Sequence, residues 1–278
     1  MLQYDCAGRL ALASLVAVAG MVFLVPATRA EVPQDAHRAF YSISTGRLTG
    51  AATIIGVSGA MTSEWERGCD GWTATQKLVV SMERQEGPAV VSEVSASVFE
   101  AHDGTRLRFT SRTTIDNEVI EQVRGRAQRP SSDAPGQAVY MEPAGLTVKL
   151  PAGTLFPYQH TLAMIDAAVS GASRDFSPFF DGSQPDNSPL DVNSLILGNA
   201  HPADEGPESR LGPLMAHRWW PVRMAFFSHG DASGEPVIEM TQYVQENGVV
   251  RRFTFDYGDF DIVATLERIE PIEALACK

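Results

Sequence analysis

The sequence predicts a mainly β protein: a many-stranded antiparallel sheet with one principal helix packed against it. Three observations carry this. Apolar and polar residues alternate in short runs, broken by turn signals about every ten residues, the pattern of an antiparallel meander. Asp103-Gly104 and Asn247-Gly248 are strong two-residue hairpin signals between such runs. Only one stretch, within Lys149 to Ser183, reads as a substantial helix.

In chain order, Glu31 to Arg38 is a polar leader and His37 to Ser44 alternates as a first strand. Gly46 to Gly59 is rich in small residues and reads either way. Ala60 to Arg67 sets Met61, Ser63 and Trp65 against Thr62, Glu64 and Glu66, a half-buried strand. After the turn Gly68-Cys69-Asp70-Gly71, Trp72 to Arg84 puts Leu78, Val80 and Met82 on one face. Ala89 to Ala101 is β-branched and alternating. Thr105 to Ile115 sets Leu107, Phe109 and Ser111 against Arg106, Arg108 and Thr110. Asp116-Asn117 turns into Val119 to Ala127, and Arg129 to Gly136 is a polar loop. Gln137 to Glu142 and Leu146 to Leu150 form the hairpin that leads to the helix.

Thr154 can cap the helix, which leaves Pro157 in the first turn, where a missing N–H costs little. The helix runs to about Ser170 and Gly171 supplies a left-handed stop. Gln159, Asp166 and Ser170 form a narrow polar stripe, and most other positions are apolar, so the helix is expected to be buried on most sides, as a plug in a sheet. Beyond it, Arg174 to Asn199 loosens, with a strand at Val192 to Leu197. His201 to Pro213, rich in Pro, Gly and acids, reads as a surface loop. Ala216 to Ser228 reads as a strand broken by Pro221. Pro236 to Glu246 and Val249 to Tyr257 form a hairpin, and Asp259 to Glu270 is the last strand. A meander this long is expected to curl or close.

The chain has 278 residues and a net charge of −12. Lysine is scarce and no basic run occurs, which argues against nucleic acid as a partner. Residues 1–30 read as a secretory signal. Leu10 to Val25 is apolar, and Thr28-Arg29-Ala30 places small residues for cleavage before Glu31. The run is short for a membrane span and has no basic stop-transfer flank, so no span is expected after cleavage. Cys6 leaves with the signal. The remaining pair, Cys69 and Cys277, is expected to form a disulfide in an exported protein. A bridge between residues more than two hundred apart gives an upper estimate of about 5 kcal/mol in the loop-entropy model. A C-terminus held this way argues for one β-rich domain over residues 31–278.

Motifs for chemistry are scarce. The six histidines are well separated, and neither HExxH nor CxxC is present, so no metal site and no cofactor are expected. His201 with Asp204 and Glu205 reads as solvated loop. The Asp256, Asp259 and Asp261 turn lacks the oxygen density calcium needs. No GxSxG elbow and no phosphate loop occur, and no catalytic residue is assigned. An enzyme would need tertiary convergence of residues such as His160, Asp166 and Asp175. The aromatic residues Trp65, Trp72, Phe156 and Tyr158, with His160 on the helix, are candidates for an apolar cleft between a curved sheet and its plug. Ordinary core packing is the plain alternative.

Several segments carry a family resemblance: Gly71-Trp72-Thr73 beside Cys69, Leu150-Pro151-Ala152-Gly153-Thr154-Leu155-Phe156-Pro157 with His160, Phe180-Asp181-Gly182, Tyr257-Gly258-Asp259-Phe260, and Cys277. Through them the chain resembles the EipB-like family of alphaproteobacterial periplasmic cell-envelope integrity proteins, formerly a domain of unknown function. The resemblance implies a monomeric, many-stranded, spiral-like open barrel with a helix against it, similar in shape to periplasmic lipoprotein carriers, and stabilised by the disulfide. It implies a role in envelope integrity without known catalytic residues. The expectation is a non-enzymatic periplasmic protein that binds a lipid, a lipoprotein or an envelope protein. The alternatives are an envelope-directed hydrolase acting near the central helix and a protein-interaction module using a strand edge.

Overall fold

The computed structural model describes residues 34–186, 188–273 and 275–277; the expected signal segment, residues 1–30, lies outside the described residues. In chain order the elements are β1 (His37–Leu48), β2 (Ile54–Arg67), β3 (Gly71–Arg84), β4 (Val90–Ala101), β5 (Arg106–Ile115), β6 (Glu118–Gln128), β7 (Gly136–Glu142) and β8 (Thr147–Leu150). Then come the helix α1 (Pro157–Val169), β9 (Arg174–Phe179), β10 (Leu190–Ile196) and two 3₁₀ turns (Pro207–Leu211, Pro213–Met215). β11 (Trp219–Ser228), β12 (Ile238–Gln245), β13 (Val250–Asp256) and β14 (Phe260–Pro271) complete the chain.

The fourteen strands form one antiparallel sheet in the order β8-β7-β6-β5-β4-β3-β2-β1-β14-β13-β12-β11-β10-β9. Strands from the two ends of the chain, β1 and β14, pair in its middle. Its two edges, β8 and β9, come from mid-chain and flank α1. Turn chemistry sets the hairpins: Gly104 and Gly248 have φ of 63° and 82°, and Asp116 and Asn117 have 50° and 68°. These are left-handed values that Gly, Asn and Asp adopt most readily.

The sheet remains open. β8 and β9 do not pair with each other. Leu155, in the link from β8 to α1, donates its N–H to the Pro178 carbonyl (2.7 Å) and accepts from the Phe180 N–H (3.0 Å). These backbone bonds bridge the seam, and beside them Phe180 packs across it on Phe109 (5.6 Å) and Tyr140 (6.4 Å). The rest of the β9 edge is blunted locally: Pro178 has no N–H, and the Asp175 carboxylate accepts the Phe176 N–H.

Three apolar clusters line the inner face. Tyr41, Met61, Leu266 and Met215 centre one on β1, β2 and β14. Met164 and Ile165 of α1 pack with Val192, Val222 and Val244 in a second, under β9–β12. Leu107, Phe109, Tyr140, Phe156 and Phe180 form the third, on β5–β8. Each fully buried aromatic ring removes about 1.5–3 kcal/mol worth of apolar surface from water.

Several details differ from the sequence reading. The helix cap is Phe156, with no side-chain hydrogen bond, whereas the Thr154 hydroxyl donates to the Pro151 carbonyl (2.8 Å). Arg174–Phe179 is a strand, within the stretch expected to loosen; its edge position tolerates Pro178. Pro221 does not break β11. Its missing N–H faces the end of β10, where its carbonyl accepts the Leu197 N–H (2.9 Å). The segment read as a surface loop, from His201 to Pro213, leads into a second plug. Glu208 and Met215 are buried, and Leu211 and Leu214 pack on the β1–β2–β14 cluster.

Candidate functional site

The site is built around α1, which spans the seam. Its first turn docks on the β3–β6 half of the sheet and its body packs on the β9–β12 half. Pro157 occupies the first helical position, so the nearest free donors belong to Tyr158 and Gln159. The Glu100 carboxylate at the end of β4 accepts both, from Tyr158 N–H at 2.7 Å and Gln159 N–H at 3.3 Å. A carboxylate at a helix N-terminus also complements the helix dipole. Glu100 is only 3% exposed. Burial pushes its pKa up to about 7, against the two N–H bonds and Arg129, which favour the charged form.

Arg129, just past β6, locks the approach to the helix. Its Nε donates to the Gly104 carbonyl (2.7 Å), one Nη to the Thr154 carbonyl and the other to Gln159 Oε1 (2.7 Å). Its guanidinium lies 4.4 Å over the Phe156 ring. Desolvation lowers the Arg129 pKa from its ordinary value, with Glu100 opposing that shift. Gly104 has a second constraint beyond its turn, since a Cβ there would stand 2.0 Å from Gln159 Nε2.

Trp72, at the start of β3, stacks on Tyr158 with ring centres 4.9 Å apart. The turn that precedes Trp72 carries Cys69, whose sulfur lies 2.15 Å from that of Cys277, at disulfide distance. The same turn is tied to the β4–β5 hairpin by the His102 ring on the Gly68 carbonyl (3.0 Å) and by His102 N–H to the Asp70 carbonyl (3.1 Å). Cys277 thus lies close to the Trp72–Tyr158 stack, at disulfide distance from Cys69.

Further along α1, His160, Met164, Ile165 and Ala168 are buried. The His160 ring packs edge-on to Phe179 at 5.0 Å and its Nε2 has no partner. Burial pushes its pKa down to about 4, so it is neutral at neutral pH. The buried hydroxyls of Ser177 and Ser194, on inward positions of β9 and β10, also lack partners, as does Asp175 Oδ2. Asp175 stands opposite Ser194 in the ladder.

Of the residues expected to line one apolar cleft, the structure brings Trp72 and Tyr158 into contact. Phe156 lies in the β5–β8 cluster. His160 lies on the β9 side, against Phe179. Trp65 is half-buried on β2, opposite Ala74 and His37. Asp166 is six positions beyond His160, about 240° around the helix axis, so the two do not share a face.

Glu100, Arg129 and Arg251 did not stand out in the sequence, though Glu100 and Arg251 left a trace there. Each occupies the inward parity of its strand, Glu100 after Val94, Ala96 and Val98, and Arg251 between Val249 and Phe253. A charge on an apolar parity is the signal of a buried anchor.

Fold and site together define a β-barrel-like protein whose interior is occupied by its own helix, with a cysteine pair at disulfide distance close to the start of that helix. The chain belongs to the EipB-like family, whose model matches residues 28–273. A similar relative is the cell envelope integrity protein EipB of Brucella abortus (strain 2308). It is 28% identical over 236 residues, spanning 84% of this chain and 83% of the relative. A crystal structure of a β-barrel-like protein of a domain of unknown function, also from Brucella abortus, matches with a TM-score of 0.79 at 27% identity. The match covers 87% of this chain and 99% of that one.

Proposed function

We propose that the protein is a non-catalytic periplasmic factor that supports cell-envelope integrity by binding an acyl-bearing envelope component, a lipid or lipoprotein, in the interior that α1 fills. The mature chain, residues 31–278, acts in this reading as one domain closed by the Cys69–Cys277 disulfide. The observation that carries the proposal is the seam. Two backbone hydrogen bonds at Leu155 join the sheet edges, Phe180 packs across beside them, and α1 covers the apolar cluster of β9–β12. Displacement of α1 exposes that cluster to a ligand without breaking any strand pairing. The envelope-integrity name of the Brucella relative supports the role.

A hydrolase acting near α1 is the weaker reading. His160 is fully enclosed and neutral, and its neighbour across the contact is a phenylalanine ring rather than a carboxylate. An acid–base role needs a partner within hydrogen-bond reach. Strand addition at the β9 edge is also weaker, because Pro178, Asp175 and Leu155 already blunt that edge.

Native mass spectrometry of the periplasmic protein, with solvent extraction, tests the proposal. A co-purifying lipid or acyl chain near unit stoichiometry, lost when α1 is tethered to β9 by an engineered disulfide, is the expected result. A protein that stays empty after incubation with envelope lipids refutes the carrier reading.

A further inference from the structure

The outer face of the sheet carries a feature that the linear sequence hides. On β5 the outward positions hold Arg106, Arg108 and Arg112; on β6 they hold Arg124 and Arg126. All five are exposed, while Leu107, Phe109, Val123 and Ala127 between them are buried. The register puts Arg108 directly opposite Arg126, and Arg124 opposite Thr110. Lys77 and Arg112 flank Ser95 from either side, and Lys149 on β8 extends the same face. The acids beside the array are Glu142, which binds Gln122 (2.6 Å) and Arg124 (3.3 Å), and Glu93, exposed on β4 two positions from Ser95. Arg108 lies 4.5 Å over the Phe99 ring. Like charges directly opposite on neighbouring strands destabilise a sheet. A chain with net charge −12 concentrates its cations here against that cost.

We infer that this face docks on an anionic phospholipid surface. The cations spread in two dimensions over adjacent strands, which fits an array of headgroups. Arginine prevails, and its planar fork binds phosphate oxygens in pairs. Between the arginines lie Ser95, Ser97, Thr110, Gln122 and Gln128, hydroxyls and amides suited to headgroups, rather than the exposed aromatic anchors typical of protein interfaces. Two clefts flank the array. One, of about 390 Å³, is lined by Lys77, Ser95, Arg112 and the carboxylate of Glu93; the other, of about 730 Å³, by Arg106, Gln128 and Gln137. The second, with no acid in its lining, suits a phosphate group. The inference rests on the envelope location proposed above and not on what fills the interior.

Co-sedimentation of the purified protein with phosphatidylcholine vesicles, with and without phosphatidylglycerol, tests it. The expected result is binding to the phosphatidylglycerol vesicles alone, falling steeply as salt rises. Arg108→Ser with Arg126→Ser lowers that binding at least tenfold and leaves the melting temperature unchanged or raised. Arg210→Ser, on an exposed position of the second plug, changes nothing. Equal binding to both vesicle types, no binding to either, or a double variant that binds like the parent overturns the inference. An empty interior in the mass-spectrometry test leaves this outcome untouched, so the two proposals fail separately.

Discussion

Two plugs fill the inner face of the same sheet, and each is anchored by a buried arginine. At α1, Arg129 donates to the carbonyls of Gly104 and Thr154 and to the Gln159 side chain, beneath the counter-charge of Glu100. At the second plug, Arg251 is 2% exposed and donates to the carbonyls of Ala203, Glu205 and Met215. Its guanidinium lies 5.3 Å over Trp219, which stacks on His201 at 4.0 Å. Asn247 adds a bond from its side chain to the Leu214 carbonyl (3.0 Å). The difference lies in what surrounds each arginine. The irregular plug has its carbonyls satisfied one by one by fixed side chains. The helix satisfies its own backbone and needs help only at its first turn; unpartnered buried atoms occur at both plugs, His160, Ser177 and Ser194 at α1 and Trp219 Nε1 and Arg252 Nε at the other. Regular structure is the easier of the two to lift off a sheet, because lifting it orphans fewer backbone groups.

The largest test of this contrast is Arg251→Met. It leaves three carbonyls without their donor and is expected to cost about 3–5 kcal/mol by chemical denaturation. Proteolysis confined to residues 203–215 is expected with it. A loss below about 1 kcal/mol would show that the irregular plug is held by its apolar contacts alone. Next is Cys69→Ser with Cys277→Ser, expected to cost about 2–4 kcal/mol and to leave the second plug as protected as before, since the bridge lies at the α1 end. Equal loosening of both plugs would erase the distinction.

Titration sharpens the comparison further. Glu100 has a pKa raised to about 7 against an ordinary 4.5. Its contribution to stability is therefore full below 4.5 and is lost as pH rises through 7. His160 has a pKa lowered to about 4 against 6.5. Its contribution is full above 6.5 and is lost as pH falls through 4. The two slopes oppose each other between pH 4.5 and 6.5. Glu100→Gln keeps an acceptor for the Tyr158 N–H and is expected to unmask a stability that rises with pH in that window. His160→Phe is expected to unmask one that falls, each by about 2–3 kcal/mol at most. Denaturation curves across pH check both, and parallel profiles for the two variants would contradict the burial assigned to these groups. The smallest effect belongs to Leu155→Pro, which removes the donor to the Pro178 carbonyl and is expected to cost about 1 kcal/mol, with faster amide exchange at Phe180.

How much of this was legible in the sequence follows from the range of each interaction. The hairpins at Asp103-Gly104 and Asn247-Gly248 depend on neighbours, and so does the apolar run of α1. Both were readable. The carboxylate at the first turn of α1 was not, because Glu100 lies far upstream of the helix it serves. The second plug was unreadable for the opposite reason. Its Pro, Gly and acidic residues have the composition of a surface loop, and the burial of Met215 depends on a guanidinium that arrives from β13. The arginine face shows the same limit. Arg106 and Arg108 alternate visibly, but only the register brings Arg126 against them. The seam could not be read at all, because a meander of known strands does not reveal which two strands end as edges.

Hydrogen exchange across α1 and the second plug, with and without added envelope lipid, tests the central claim most directly. The expected result is exchange in residues 157–169 that is faster than in 207–215 in the lipid-free protein. Lipid is expected to alter α1 alone. Equal protection of the two plugs, or a response to lipid centred on residues 207–215, would contradict α1 as the movable element.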